Sequence, residues 1–490
     1  MDTTAVLVAL LSLALAYFAF RSVLDHRNLS HFGGPLLASS SSCWLFWQSA
    51  AGRLSQAEGE AIERYGSPAR IGPNLLVHND PDWTRHLNAA GSKWRRAKWY
   101  EAMKLDTRTD TVFSTRNEKV HAELKAKEAG GYMGRDIATL ESDIDARIVD
   151  LTELLRDKYD GTVLDLAEVM RYFTLDVLST VAFGRPFGFM AANKDLWEYG
   201  KTNAQFMPVF QLQANHSWIR RVLASPLMQR LGSPKVTDTT GIGPALAFAR
   251  GAVAERYGAD ARPKKDMLGH FVSKGLTQVQ CEAEANLQII AGSDSTTTSL
   301  RCTLFLLITN PVAYRRLRSD IDRLDQKGSV SHSVIAYSEA QGIPFLNACV
   351  LEGLRMYPPL FGLQTKLAPP GGDTVKGIFV PGETEVGVCY SSMCRRKDIF
   401  GEDSHVYRPE RWIEADHEQR QLYQKTVDSV FGTGRFQCLG KHIAIMELHR
   451  TLAELVRQFD WSIADPMGGV GVRSDAVHVH RGMNVVARPR

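Results

Sequence analysis

Phe431-Gly432-Thr433-Gly434-Arg435-Phe436-Gln437-Cys438-Leu439-Gly440 is the stretch on which the reading of this 490-residue chain turns. Two glycines ahead of the cysteine let the backbone turn tightly and come close to a flat ligand. A helix follows, with Leu439, Ile443, Met446, Leu452, Leu455 and Phe459 at helical spacing. Its free N–H groups and positive dipole end favour a thiolate at Cys438, the form in which cysteine ligates a metal. Two other readings of the glycines fail on spacing. A phosphate loop needs four residues between its glycines and then Lys-Ser or Lys-Thr, but Gly434 and Gly440 are six apart and His442 follows Lys441. A dinucleotide fingerprint needs glycine where Gln437 stands. A buried, idle thiol is the remaining alternative.

The longest helical candidate, Thr277–Asn310, is stopped by Pro311 and would run about 50 Å. In its middle, Ala291-Gly292-Ser293-Asp294-Ser295-Thr296 sets a glycine and four polar residues among Leu287, Ile289, Ile290 and Leu300, a poor choice for packing alone. Hydroxyls there can bond back to carbonyls four residues earlier and open the helix slightly. An acid beside an alcohol can pass protons to bound oxygen. A solvent-facing polar stripe is the bland alternative. Further on, Glu352-Gly353-Leu354-Arg355 places acid and base on one helix face. The same spacing recurs at Glu153/Arg156, Glu168/Arg171, Glu447/Arg450 and Glu454/Arg457, where solvated surface pairs are expected. Tyr357-Pro358-Pro359 directly after it sets the pair at 352 apart. Short strand-like pieces occur at Ala69-Arg70-Ile71, Leu75-Leu76-Val77, Ile378-Phe379-Val380 and Glu385–Tyr390. The chain reads as mainly α with a small β part.

In these motifs the chain resembles the cytochrome P-450 superfamily, the haem-thiolate monooxygenases, whose signature is F-G-x-G-x-R-x-C-x-G. Phe431, Gly432, Gly434, Cys438 and Gly440 match, whereas Phe436 stands where the family usually has arginine and Arg435 lies one place earlier. The resemblance implies the cytochrome P-450 fold and haem b, with Cys438 as axial ligand pushing electron density to the iron to favour O–O cleavage. Phe431 would shield the sulfur, and the N–H groups of Leu439 and Gly440 would hydrogen-bond it. Ala291, Gly292 and Asp294 match the family's distal motif, with Ser295 in place of the usual threonine and Thr296 next to it. Asp294 and one of Ser295 and Thr296 are thus the implied proton relay. Glu352, Arg355 and Arg411, the last within Tyr407-Arg408-Pro409-Glu410-Arg411-Trp412, match the structural triad, a buried network that would hold the cysteine loop in shape. His121 and Lys125 sit where the family has W-x3-R, and Lys366 where an arginine precedes the Pro369-Pro370-Gly371-Gly372 turn. With Arg435 they are the expected haem contacts.

The family's pocket positions correspond to Phe113, Phe206, Phe210, Ile290, Leu360, Phe361 and Leu363, which suit a lipophilic substrate. The implied activity is insertion of one oxygen atom from O2. No flavin or nicotinamide motif occurs here, so electrons would come from NADPH through a separate cytochrome P-450 reductase, with cytochrome b5 as a further candidate donor. Segments such as Arg64-Tyr65-Gly66 and Phe400-Gly401-Glu402-Asp403 resemble the fungal microsomal branch that serves secondary metabolism. Desaturation, oxidative coupling or rearrangement on the same haem is a second reading. A haem-binding sensor or electron carrier is a third, and Asp294 beside a hydroxyl speaks against it.

Toward the N-terminus, Thr3–Phe20 carries no charge and would span about 27 Å as a helix, close to the roughly 30 Å hydrocarbon core of a bilayer. Ala14-Leu15-Ala16 resembles a signal-cleavage site, but Asp2 precedes the run and Arg21 and Arg27 follow it, which places the body on the cytosolic side. Residues 1–21 are expected to be an endoplasmic-reticulum membrane anchor, 22–50 a hinge and linker around His31-Phe32-Gly33-Gly34-Pro35, and 51–490 one haem-enclosing domain. Length alone suggests about three domains, yet no Gly/Ser/Pro linker divides the body. At 44% hydrophobic and 23% charged the composition is globular. A net charge of +4 gives no field for nucleic acid, though part of it can serve lipid headgroups and an acidic reductase. Seven cysteines are too few and odd in number for a disulfide scaffold, so free thiols or ligands are expected.

Overall fold

The computed structural model describes residues 28–490 apart from 135–136, 233, 259–260, 262–263, 329, 331–332, 361 and 476. The Thr3–Phe20 run and Phe361 lie outside the described residues. Among those described, no helix is long and apolar enough to cross a membrane. The helices that bear on function are α1 (Leu36–Ser40), α2 (Cys43–Ala50), α3 (Glu118–Tyr132), α4 (Leu166–Phe183), α5 (Tyr199–Asn215), α6 (Ser217–Leu223) and α7 (Pro226–Gly232). They are followed by α8 (Gln278–Ile308), α9 (Pro344–Met356) and α10 (Lys441–Gln458). The architecture is mainly helical with a small β part.

The sequence fixes the ends of α8 by ordinary capping. Thr277 Oγ1 accepts the Gln280 N–H at 3.3 Å while the Gln280 side chain accepts the Thr277 N–H at 2.9 Å, a capping box. Pro311 opens the next helix with Asn310 as its cap. In between, Ser293, Ser295, Thr297, Ser299 and Thr303 each donate to the carbonyl four residues back, at 2.6–3.0 Å. This polar run is interior, because α4, α9 and α10 pack around it and the Thr174 hydroxyl of α4 meets Thr297 Oγ1 at 2.5 Å. The solvent-facing alternative is therefore corrected: back-bonding lets hydroxyls be buried without orphaned donors.

The largest sheet has the order β1-β2-β8-β5-β3. Its strands are β1 (Ala69–Gly72), β2 (Leu75–His78), β3 (Arg95–Arg96), β5 (Lys366–Leu367) and β8 (Glu385–Val388). Tyr390 begins a short helix, so the strand expected over Glu385–Tyr390 stops at Val388. β3 and β5 are antiparallel with Arg96 opposite Lys366, a pairing that bears on the site below. Elsewhere β12 (Asn484–Pro489) lies between β4 (Val163–Asp165) and β9 (Phe459–Ile463). β6 (Asp373–Val375) pairs with β7 (Ile378–Val380), and β10 (Gly471–Asp475) with β11 (Val477–Arg481).

Glu352, on α9, accepts from Arg355 Nε and Nη2 (2.9 and 2.7 Å), Arg411 Nε (2.9 Å), Trp412 Nε1 (2.9 Å) and the Arg408 N–H (2.9 Å). Burial pushes its carboxyl pKa up, but the Arg355 and Arg411 guanidiniums hold it below the ordinary value. The two arginines also donate to carbonyls of Phe400, Asp403, Ser404 and Val406. The network thus pins the 394–412 segment; its hydrogen bonds do not reach the cysteine loop. Two of the pairs expected at the surface are interior. Glu454 is fully buried, 3.0 Å from Arg457 and accepting the Ile335 N–H at 2.7 Å. Glu447 is buried and burial pushes its pKa up to about 8, while Arg450 turns instead to Asp145 and the carbonyls of Ile335 and Glu141.

Candidate active site

The cysteine loop is built from two turns that only glycine tolerates. Gly432 has φ +71°, and a Cβ there would lie 2.6 Å from the Phe436 carbonyl oxygen. Gly434 has φ +55°, and its Cβ would lie 2.3 Å from the Asn88 carbonyl. The close approach read from the sequence as ligand contact is made here to protein backbone. The Cys438 N–H donates to Phe431 O at 2.6 Å. Because α10 starts at Lys441, the N–H groups directed at Sγ are those of Gly440 and Lys441, one place later than expected. Burial pushes the thiol pKa up, and the Gly440 N–H, the Lys125 charge and Lys441 pull against that push. Cys438 keeps accessible surface although protein surrounds it; it faces an interior cleft, not the outer surface. Leu439 packs with Val112, Phe113, Leu124 and Leu287, which sets the loop against α8. Phe431 packs beside Tyr390 and Val430.

Beside the loop lies a cationic cluster. Arg96 and Lys366, cross-strand partners, are each 4% exposed. Like charges in that position repel, and burial makes the repulsion stronger. Both lie over Phe436, with Lys366 Nζ 3.9 Å and the Arg96 guanidinium 4.6 Å from its ring centroid. Lys366 donates to Tyr100 Oη at 2.6 Å, and Arg96 Nη1 donates to the carbonyls of Val112 and Thr115, leaving its buried Nε without a hydrogen bond. Glu118 is the one carboxylate that raises the pKa of either group. Burial, then Arg96, pushes Lys366 well below the ordinary lysine value. The His121 ring lies 5.2 Å from that of Phe436, tilted by 54°, and burial followed by four neighbouring cations lowers its pKa to about 3, so it is neutral. Lys125 and Arg435 are engaged differently. Lys125 Nζ holds the loop carbonyls of Arg435 and Gln437 at 2.8 and 2.9 Å. Arg435 donates to the carbonyls of Ser92 and Trp94 and lies 3.6 Å from Glu118. Arg96 is the residue that sequence reasoning missed; its signal was the basic pair Arg95-Arg96, which reads as surface until β3 is placed beside β5.

Along α8 lies an apolar cavity with about 780 Å³ of empty space, part of it open to solvent. Within 279–308 Ala291 is the only exposed residue, and it lines this cavity with Leu287, Ile290, Asp294 and Ser295. Phe113, Phe210 and Leu360 of the expected pocket also line it. Phe206 instead packs beside Phe210 without being among the lining residues, and Leu363 is 1% exposed in the adjacent core. Trp99, Met103 and Met207 are lining residues that the sequence did not single out, because a core position and a cavity wall share the same side-chain chemistry. Ser295 Oγ donates to the Ala291 carbonyl at 2.7 Å. The Asp294 carboxylate accepts from Asn203 of α5, and burial pushes its pKa up against the Arg171 charge and that hydrogen bond. Thr296 is buried and is not among the lining residues.

A family model described as Cytochrome P450 matches residues 75–468. The chain is 39% identical over 471 residues to cytochrome P450 monooxygenase ABA1 of Pyricularia oryzae, covering 94% of this chain and 92% of that protein. It is 35% identical over 456 residues to cytochrome P450 monooxygenase aba1 of Botryotinia fuckeliana, 92% of this chain and 89% of the relative. With cytochrome P450 monooxygenase abl1 of Leptosphaeria maculans it shares 31% identity over 467 residues, 93% and 82% of the two chains.

Proposed function

Because the chain belongs to the cytochrome P450 family, oxygen-incorporating oxidoreductases whose haem iron has an axial cysteine ligand, we propose that it inserts one atom of O2 into a lipophilic small molecule of fungal secondary metabolism. Electrons would come from NADPH through a separate reductase, with cytochrome b5 as a further donor. The observation that carries this reading is the apolar cavity bounded by Asp294 and Ser295 on one face of α8. The residues fit a haem. Cys438 offers a sulfur with two backbone donors, and the like-charged, buried pair Arg96 and Lys366 calls for an anion such as the propionates. Bound there, haem supplies activation of O2 at its iron.

The chain's own residues then do the following. The Gly440 and Lys441 N–H groups stabilise charge on Sγ. Lys125 and Arg435 fasten the loop through carbonyl contacts, so we assign them positioning roles. Ser295 Oγ–H, which donates to Ala291 O, can turn to hold a proton at the cavity, and burial pushes up the pKa of the Asp294 carboxyl behind it. Ser295 rather than Thr296 is assigned this role, because Ser295 borders the cavity. Ser295→Ala is expected to lower product formed per O2 consumed by roughly tenfold or more, with peroxide released instead, while Thr296→Ala stays near wild type. Normal coupling in Ser295→Ala would defeat the assignment. Lys366→Met is expected to speed transfer of haem to apomyoglobin about tenfold, as for loss of a charged hydrogen bond; an unchanged rate would remove Lys366 from the propionate contacts.

Membrane attachment rests on two features. One is the uncharged Thr3–Phe20 run. The other is a set of exposed apolar side chains, Leu36, Leu37, Trp47, Trp218, Val222 and Leu227, on α1, α2, α6 and α7. Helices α1 and α2 pack together, α5 packs on α2 and on α6, and α7 follows α6, so these side chains are offered on connected elements. The deciding experiment is expression with a reductase, followed by a screen of lipophilic terpenoids and polyketides. Gain of one oxygen supports the reading; loss of two hydrogens would assign desaturation or coupling instead.

A further inference from the structure

The polar side chains on the cavity wall are Gln211, Asn215, Asp294, Ser295 and Gln364. Asp294 is held by Asn203, and the Ser295 hydroxyl by the Ala291 carbonyl. Asn215 is used at both ends: its Oδ1 accepts from Trp99 Nε1 at 3.2 Å and its Nδ2 donates to Ser49 Oγ at 3.1 Å. Gln211 is engaged within the protein. Gln364 is the exception, since none of its hydrogen bonds among the described residues uses the side-chain amide. Gln364 is half-buried and its amide keeps accessible surface, so a ligand in the cavity can supply the partner it lacks.

The backbone at Gln364 is strained as well. Its φ is +43°, in the left-handed region that glutamine rarely adopts. The strain is imposed from both sides: Leu363 O accepts the Val388 N–H at 3.1 Å, Thr365 O accepts the Ala97 N–H at 3.1 Å, and Gln364 O accepts from Tyr100 Oη at 3.4 Å. A conformation over-determined in this way, at a cavity wall, fixes where the side chain begins.

Resting on the monooxygenase reading above, we propose that the Gln364 amide sets substrate specificity by hydrogen-bonding a hydroxyl or carbonyl oxygen on an otherwise lipophilic molecule. Its two N–H donors and one carbonyl acceptor suit either group. A site with an unpaired amide discriminates against a pure hydrocarbon, because that ligand would bury the amide unsatisfied. Gln364 also borders the basin that contains Lys366 and Phe436, so contact with the cofactor's edge is the competing role, and the test separates the two.

The test uses the full haem-loaded chain in detergent and two matched probe pairs, farnesol with farnesene and dodecan-1-ol with dodecane, with affinities from equilibrium dialysis. The wild type is expected to prefer each alcohol by roughly tenfold. Gln364→Leu removes the amide, and Gln364→Gly removes it while relaxing the positive φ. Both should reduce the preference to about twofold or less by weakening alcohol binding, with hydrocarbon affinity and haem content unchanged. Three results would overturn the proposal: no alcohol preference in the wild type, retention of the preference in both variants, or haem loss in both variants, which would place the amide on the cofactor. Failure of the monooxygenase reading is distinct, because it would appear in the wild type as a missing carbon-monoxide band.

Discussion

Cys438→Ala is expected to abolish the long-wavelength carbon-monoxide band of the reduced protein, and with it all turnover, while leaving the fold intact. The expectation of an intact fold comes from what the side chain does. Its backbone N–H holds Phe431 O, which alanine preserves, and Sγ faces the interior cleft where it adds little packing. Loss of the band should be complete because no other described cysteine can stand in. Burial pushes the thiol of Cys281 up to about 11 and those of Cys302, Cys389 and Cys394 up to about 12. Cys349 is pushed up by burial in the same way, and Cys43 is exposed on α2. Burial raises the Cys438 thiol too, but Cys438 alone stands in the glycine loop before α10, with the Gly440 and Lys441 N–H groups and the Lys125 charge opposing the rise. Haem bound at a hundredfold excess over its Kd stabilises a fold by about 2.7 kcal/mol, so the variant should melt with the haem-free wild type. Retention of the band in Cys438→Ala would sink the ligand assignment.

What the sequence disclosed follows the locality of the physics. Glycines that a backbone turn demands, a capping box and a proline stop are decided within a few residues, which is why the cysteine loop and α8 were legible. The Ser293, Ser295, Thr297 and Ser299 hydroxyls satisfy themselves inside their own helix, so their burial could be read as an alternative to exposure but not chosen. Arg96 was illegible because its meaning depends on Lys366, a strand partner 270 positions away, in strands of two residues that carry no alternation to read. The Glu447 and Glu454 pairs looked like surface pairs because i,i+3 spacing reports a shared helix face, not which way that face points. Lys125 and Arg435 carried the charge expected of cofactor contacts, yet both are engaged by carbonyls of the loop and of the segment before β3. Charge is visible in a sequence, whereas its partner is not. Of the pocket, the aromatic character was legible and the division between wall and core was not, as Leu363 illustrates.

Glu352→Ala should be the most destructive substitution outside the cysteine loop. The carboxylate takes five donors on two oxygens, and Arg355, Arg411 and Glu352 are all at most 1% exposed. Removing it leaves the Arg355 guanidinium buried without a counter-charge and Arg411 with Asp403 alone, at a cost of about 3–5 kcal/mol, against a total stability of about 5–15 kcal/mol for a domain. Little folded protein should accumulate, and what does should unfold at much lower denaturant. In a simple buried ion pair, replacing all members by apolar residues is often harmless. Here the triple replacement Glu352→Met, Arg355→Met, Arg411→Met should not restore stability, because Arg355 and Arg411 also satisfy the carbonyls of Cys394, Phe400, Asp403, Ser404 and Val406. The carbonyls of the buried residues Cys394, Phe400 and Ser404 would be orphaned at about 1–3 kcal/mol each, whereas Asp403 O keeps the Val406 N–H and Val406 is exposed to solvent. Arg355→Lys keeps the charge but loses the fork that reaches Glu352 and the carbonyls together, and should fall between. Urea or guanidinium unfolding of the three variants checks the order, with the wild type most stable, then Arg355→Lys, and the other two lowest. A triple variant as stable as the wild type would show that the charges, not the carbonyls, dominate, and that the 394–412 segment holds its shape without its arginines.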